Sequence, residues 1–172
     1  DAVLVTCAGA GSSVFDKERF SNVLIDEAGQ ATEPMTLIPI TRGCRQLVLV
    51  GDHHQLPPTV VSKRAEEEGL ANSLFGRLAD AGAKTHLLDT QYRMHPAIAD
   101  FPATKFYHGD LKSDPNLHSG TRPLPPGFTW PRPMWPVCFV NVKNGYEEGV
   151  GNSFSNDAEA QAVRKALREI LS

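Results

Sequence analysis

No Gly-x-x-x-x-Gly-Lys-Ser/Thr stretch occurs in these 172 residues, so the sequence holds no nucleotide-phosphate loop of that kind. It also lacks an apolar run near the roughly 20 residues a membrane helix needs, and its first residues show neither the basic start nor the cleavage pattern of a secretory signal. The expectation is no membrane and no secretion. Cysteine is scarce and scattered: Cys7, Cys44 and Cys138 are odd in number and form no Cys-x-x-Cys pair. That argues against a disulfide framework and for free thiols in a reducing compartment, the cytosol or the nucleus. A dominant charge is missing too. At a formal −3 the chain gives no overall polyanion signal, although basic groups gathered on one face would still serve a nucleic-acid binder. No internal repeat is visible. What remains is a chain of globular composition, 41% hydrophobic and 22% charged, long enough for one domain or parts of two.

The organising stretch is Val23-Leu24-Ile25-Asp26-Glu27-Ala28-Gly29-Gln30. Three apolar residues predict a short strand buried on both faces, as in a parallel sheet, and two carboxylates follow at its C-terminal end, where open α/β sheets keep their ligands. An Asp-Glu pair there suits phosphate chemistry, one carboxylate holding hydrated magnesium and its neighbour orienting or deprotonating a water. The plain alternative is a strand end turning into solvent. Upstream, Val3 to Thr6 predicts another buried strand, and its start at the first residues implies that residue 1 lies inside a larger domain. The small residues Cys7 to Ser13 form either a simple turn or a loop that offers N–H and hydroxyl groups to a nucleic-acid phosphate.

After the carboxylates, Thr32-Glu33-Pro34 predicts a helix start, with Met35, Leu37, Ile38 and Ile40 as its apolar face and Gly43 at its end. Gln46 to Val50 predicts a further buried strand, parallel to the first, followed by Gly51-Asp52-His53-His54-Gln55-Leu56-Pro57-Pro58. Two such strands deliver Asp26, Glu27, Asp52 and Gln55 to one sheet edge. His53 and His54 have no third ligand at a usable spacing, so hydrogen-bonded or solvated histidines are expected rather than a metal pair.

Residues 62–69 read as a polar connector, then Leu70, Leu74, Phe75 and Leu78 repeat at helical spacing up to Gly82. His86 to Asp89 predicts a strand. Gln91-Tyr92-Arg93-Met94-His95-Pro96 follows, then a helical pattern through Ile98, Phe101, Phe106 and Tyr107, interrupted at Pro102. Tyr92 and Arg93 are either an aromatic shelf and a cation aimed at a nucleotide or an ordinary surface pair. Seven of the thirteen prolines crowd between Pro115 and Pro136, with Gly120, Gly127, Trp130 and Trp135, which predicts an extended loop draped over the surface or a ligand for a partner's aromatic groove. Val137 to Val142 predicts a strand and 144–151 a flexible segment. Asn156 then caps a helix with Glu159 three residues on and one apolar face of Ala162, Val163, Ala166, Leu167, Ile170 and Leu171.

In this order and spacing, Asp26-Glu27-Ala28-Gly29-Gln30, Gly51 to Pro58 and Gln91 to Pro96 resemble motifs II, III and IV of superfamily 1 helicases, in the branch containing the nonsense-mediated-decay helicase and senataxin. Thr6 to Gly11 resembles the strand-contacting motif before them, and Gly151-x-Ser153-x-x-Asn156-x-x-Glu159-Ala160 resembles a pattern of the second motor domain. The resemblance spans nearly the whole chain. It implies an α/β fold of RecA-like parallel sheets flanked by helices: the end of the first RecA-like domain over 1–62, a connector over 63–69, and the beginning of the second over 70–172, with a Pro-rich insertion at 113–136. It implies ATP and Mg2+ as cofactors, single-stranded RNA or DNA as partner, and movement along the strand, usually 5′ to 3′.

The same resemblance gives each residue a role. Asp26 would hold magnesium, Glu27 would activate the attacking water, Gln55 would sense the γ-phosphate, Arg93 would reach that phosphate from the second domain, and Tyr92 would stack on adenine. Gln91 joins the nucleotide-binding set, and Gln30 would tie the magnesium strand to the sensor loop. Thr6, Gly9, Gly11, Pro57 and Pro58 would face the nucleic acid. Such a scheme is coherent, because phosphoryl transfer needs positioning and charge neutralisation more than covalent chemistry. The family's phosphate loop and its later arginine motif are expected before residue 1 and after residue 172, in the remainder of the motor. Two functional classes follow: a piece of an active ATP-dependent helicase, inactive by itself, or a truncated, non-hydrolysing relative that binds nucleic acid or protein.

Overall fold

A computed structural model of the chain describes residues 2–117, 123–151 and 153–172, so Gly120 of the Pro-rich stretch lies outside the described residues. The chain forms two compact units, Asp1–His86 and Leu87–Ser172.

In the first unit, β1 (Asn22–Ile25) and β2 (Gln46–Leu49) run parallel, paired from Asn22 with Gln46 to Ile25 with Leu49, and α1 (Glu33–Ile40) connects them. Parallel neighbours need such a crossover. Pro34 sits in the first turn, where a missing N–H costs nothing, and Glu33 there suits the helix dipole. Neither strand is buried on both faces, contrary to the sequence expectation: Ile25 is buried, but Leu24 and Val48 are exposed. Among the described residues the sheet has these two strands alone. The apolar face expected of α1 is likewise half open. Met35 and Leu37 are exposed, while Thr36 is wholly buried, its hydroxyl donating back to the Thr32 carbonyl at 3.2 Å.

Residues 3–6 are not a strand. A strand is a paired object, no described strand pairs with this one, and Val3, Leu4 and Val5 stay exposed. Two short 3-10 turns follow, Gly9–Gly11 and Ser13–Phe15. The polar stretch after residue 62 is not all connector, because α2 (Lys63–Glu67) forms there, with the Ser62 hydroxyl accepting from the Ala65 N–H and Arg64 paired to Glu68 one turn on. The next helix, α3 (Leu74–Asp80), starts later than Leu70, at a buried Ser73 whose hydroxyl accepts from the Gly76 N–H at 3.0 Å. It packs on the turn at Ala28–Gln30. The first compact unit extends to His86.

In the second unit, the strand expected at 86–89 is displaced to β3 (Thr90–Gln91), parallel to β4 (Lys112–Ser113), and Leu87 and Leu88 are exposed. Between them α4 (Pro96–Tyr107) runs unbroken through Pro102. One proline removes one donor, not the whole ladder. The described part of the Pro-rich stretch has no regular element. The Trp130 indole N–H donates to the Pro125 carbonyl at 3.1 Å, and its ring meets Phe128 edge to face at 4.9 Å. No strand forms at 137–142, where Phe139 and Val140 are exposed and unpaired by any described strand. Instead, the segment expected to be flexible supplies β5 (Glu148–Val150), antiparallel to β6 (Ser153–Ser155). Asn156 caps α5 (Asp157–Leu171) as expected, its side chain accepting from the Glu159 N–H at 3.2 Å, but no residue of this helix is buried. Helices alternating with short parallel pairs make the fold α/β.

Candidate functional site

The turn after β1 is set by backbone geometry that residues other than glycine adopt uncommonly. Glu27 has φ 52° and ψ 37°, the left-handed region. Its own N–H is taken by Asp26 Oδ1 at 3.0 Å, its carbonyl accepts from the Gln30 N–H at 2.9 Å, and its Oε2 accepts from Gln30 Nε2 at 3.2 Å. Gln30 thus braces the Glu27 carboxylate. Its side-chain hydrogen bond to Glu27 stays within the turn after β1.

Backbone joins this turn to the loop after β2. The ladder continues past both strands, with Val50 N–H donating to the Ile25 carbonyl and Ala28 N–H to the Val50 carbonyl, each at 2.8 Å. A Cβ on Gly29 would lie 2.8 Å from the Asp52 carbonyl oxygen, and one on Gly51 would lie 2.9 Å from the Gly29 nitrogen. Main chain therefore touches main chain where Asp26 and Glu27 meet Asp52, an approach only glycine permits. Asp52 then organises its own loop, Oδ1 accepting from the His54 N–H at 3.0 Å and Oδ2 from Gln55 Nε2 at 2.7 Å. The His53 ring lies 4.0 Å from that of His54 and 6.2 Å from that of Phe75. Asp26, Glu27 and Gln55 are exposed at this edge.

A depression of about 390 Å³ borders it, lined by Cys7, Glu27, Gln30, Thr32, Met35 and Pro58 among others. The small-residue loop, the acidic turn and the segment after the second strand thus share one concavity. Thr6 is exposed and its hydroxyl accepts from the Gly9 N–H at 3.0 Å, which closes the loop on itself. Gly11 is exposed and Gly9 half-buried, both within the turn that packs on α1. Pro57 is exposed, and Pro58, although largely buried, lines the depression. Sequence reasoning missed Arg42, whose guanidinium donates to the carbonyls of Phe15 at 2.7 Å and Ser12 at 3.3 Å and so pins the loop's far end.

Also missed was a fork between Arg77 of α3 and Glu33 of α1, with Nε and Nη2 at 2.8 and 2.7 Å from the two carboxylate oxygens. The hydrogen bond from Arg77, helped by its charge, holds the Glu33 carboxyl below its ordinary value against the opposing pull of desolvation. Bidentate geometry of this kind belongs to arginine. Its sequence signal, an Arg and a Glu 44 positions apart, has no local pattern to betray it.

Tyr92 and Arg93 belong to the second unit, both exposed, in a tight turn between β3 and α4. His95 caps that helix through Nδ1, which accepts from the Ala97 N–H at 3.1 Å. Gln91 is half-buried and all four hydrogen-bonding positions of its carboxamide are taken inside this turn and by Ser113. Both acceptor positions and both hydrogens of the amide are thus engaged within the second unit.

Residues 1–63 and 70–172 each match a family model described as an AAA domain. The chain is 42% identical over 173 residues to a regulator of nonsense transcripts 1 homolog of Drosophila melanogaster and 44% identical over 174 residues to one of Arabidopsis thaliana, 99% of this chain and 14% of the relative in both cases. It is 40% identical over 173 residues to the ATP-dependent helicase NAM7 of Saccharomyces cerevisiae, again covering 99% of this chain, and 18% of that protein. The chain thus spans less than a fifth of the length of these relatives.

Proposed function

The chain belongs to the superfamily 1 helicases, in the branch of the nonsense-transcript regulators, and on that premise we propose that it carries the hydrolytic centre of an ATP-driven motor on single-stranded nucleic acid. The observation that carries this reading is the main-chain contact at Gly29 and Gly51, which holds the acidic turn and the Asp52–Gln55 loop together at the carboxyl ends of two parallel strands. Both units are read as parts of RecA-like halves, with Tyr92 and Arg93 supplied by the second.

Magnesium suits the donor set. Among the described residues no group of three or more His, Cys, Asp or Glu is placed to hold a metal, and magnesium at phosphate sites takes one or two carboxylates, waters and the phosphates themselves. Asp26 is exposed, with Oδ1 engaged by one N–H, and would hold the ion; bound there, magnesium neutralises phosphate charge. Glu27, braced by Gln30, accepts the proton of the attacking water. Gln55 faces the same edge from the second loop and reports nucleotide state to the depression at Cys7 and Pro58, where the nucleic-acid backbone runs. Arg93 neutralises the transferring phosphoryl group and Tyr92 stacks on the base.

The test is Glu27→Gln in a full-length motor carrying this segment. Removing a general base costs about 10²–10⁴-fold in rate, while nucleotide affinity rests on phosphate and magnesium contacts that Glu27 does not make. Turnover should fall by that factor with ATP binding retained. A rate within a few-fold of wild type would remove Glu27 as the base.

A further inference from the structure

We propose that Gln91 is the positioning residue of the second unit: its side chain folds the turn that aims Tyr92 and Arg93. The inference rests on the role given above to Arg93. Oε1 of Gln91 accepts from two successive backbone N–H groups, Arg93 at 2.9 Å and Met94 at 2.7 Å. Nε2 donates to the Met94 carbonyl and to Ser113 Oγ, both at 2.8 Å. A carboxamide has two strong acceptor positions and two hydrogens, and here all are used. The pattern also fixes which way the amide points, since reversing it would set NH2 against the two N–H groups.

The arrangement is a bracket. One end grips the main chain of Arg93 and Met94; the other is bolted to β4 through Ser113. Main chain reinforces it, because Gln91 pairs with Ser113 in the β3–β4 register and its carbonyl accepts from the Asp114 N–H at 3.0 Å. Tyr92 and Arg93 are exposed, and the half-buried amide beside them holds the main chain of Arg93 and Met94. Asparagine is one methylene too short to span the same four partners. Glutamate keeps the acceptors and loses both donors.

Steady-state ATPase at saturating single-stranded RNA, in a full-length motor carrying this segment, decides it with four proteins: wild type, Gln91→Ala, Arg93→Ala and the double variant. Misplacing a reacting group by about 1 Å can cost on the order of 10²-fold, so Gln91→Ala should lower kcat by about 10- to 100-fold with KM for ATP changed far less. Gln91→Glu should recover part of that loss. In the Arg93→Ala background the Gln91→Ala change should be nearly silent, since the group it positions is gone. A merely structural role predicts the opposite: equal fractional losses in both backgrounds, tracking a lowered melting temperature. That result, or a near-normal kcat for Gln91→Ala while Arg93→Ala is crippled, overturns the proposal alone. Near-normal turnover of Arg93→Ala overturns the arginine assignment, and the proposal with it. If Gln91→Ala does not fold, Ser113→Ala removes one bond of the bracket and should lower kcat severalfold in the wild-type background only; no change in either background would also overturn the proposal.

Discussion

Gly29 and Gly51 leave no volume between the acidic turn and the loop after β2, and that is a statement about single atoms. An added methyl at residue 29 must displace the Asp52 carbonyl, which accepts from the Gln55 N–H at 3.4 Å in the loop just past the parallel ladder. Overpacking of this kind costs about 1–3 kcal/mol. Gly29→Ala should lower the urea midpoint of the purified chain accordingly, whereas Gly149→Ala, with nothing within 4 Å of the added Cβ, should stay within about 0.5 kcal/mol of wild type. Equal effects at the two positions would mean that the contact at Gly29 relaxes freely. The same atomic view explains Gln91 and Gln30. Both look like nucleotide ligands in a motif, yet the Gln91 amide is engaged by its own turn and by Ser113, and the Gln30 amide donates to the Glu27 carboxylate, a distinction that lies in distances and not in residue type.

At the scale of elements, the fork from Arg77 to Glu33 joins two helices that sequence keeps 44 positions apart. Its pH dependence has a definite sign. The folded carboxyl titrates below its ordinary value of 4.5, so the stabilisation is fully present above that value and fades as pH falls from 4.5 through the lowered folded value. The gap in thermal midpoint between wild type and Glu33→Gln should be widest near neutral pH and should close in acid; a gap that is constant with pH would mean that the carboxylate's charge contributes nothing. Elements also show what was legible in advance. Caps at Asn156, the Pro34 start and the strand–helix–strand unit follow from local rules, so they stand as predicted. Strands at 3–6, 86–89 and 137–142 failed for one shared reason: apolar runs become strands only beside a partner, and none of the described strands pairs with them. Helix α2 was hidden by its charge, because its support comes from the Ser62 cap and the Arg64–Glu68 pair and not from an apolar stripe.

For the whole molecule, the residues of the proposed chemistry divide between the two units: Asp26, Glu27 and Gln55 in one, Tyr92 and Arg93 in the other. The 172 residues contain no Gly-Lys-Ser/Thr phosphate loop, and without such a cradle β- and γ-phosphates are held poorly. Purified by itself with ATP, magnesium and single-stranded RNA, the chain should release phosphate at background rate; RNA-stimulated turnover that disappears in Glu27→Gln would contradict this. The motifs were readable because chemistry confines them to short runs, while the brace at Glu27 and the bracket at Gln91 emerge only when the chain has folded. One of those features reaches beyond the molecule to its descendants. Glu27 occupies left-handed backbone, a conformation that costs a residue with a Cβ on the order of 1–3 kcal/mol and glycine almost nothing. On the role proposed for Glu27, selection for hydrolysis holds the residue there against that cost. In any lineage released from turnover, drift at this position runs downhill toward glycine or asparagine, so a copy of this sequence with either residue there would be recognisable as a retired motor from a single codon.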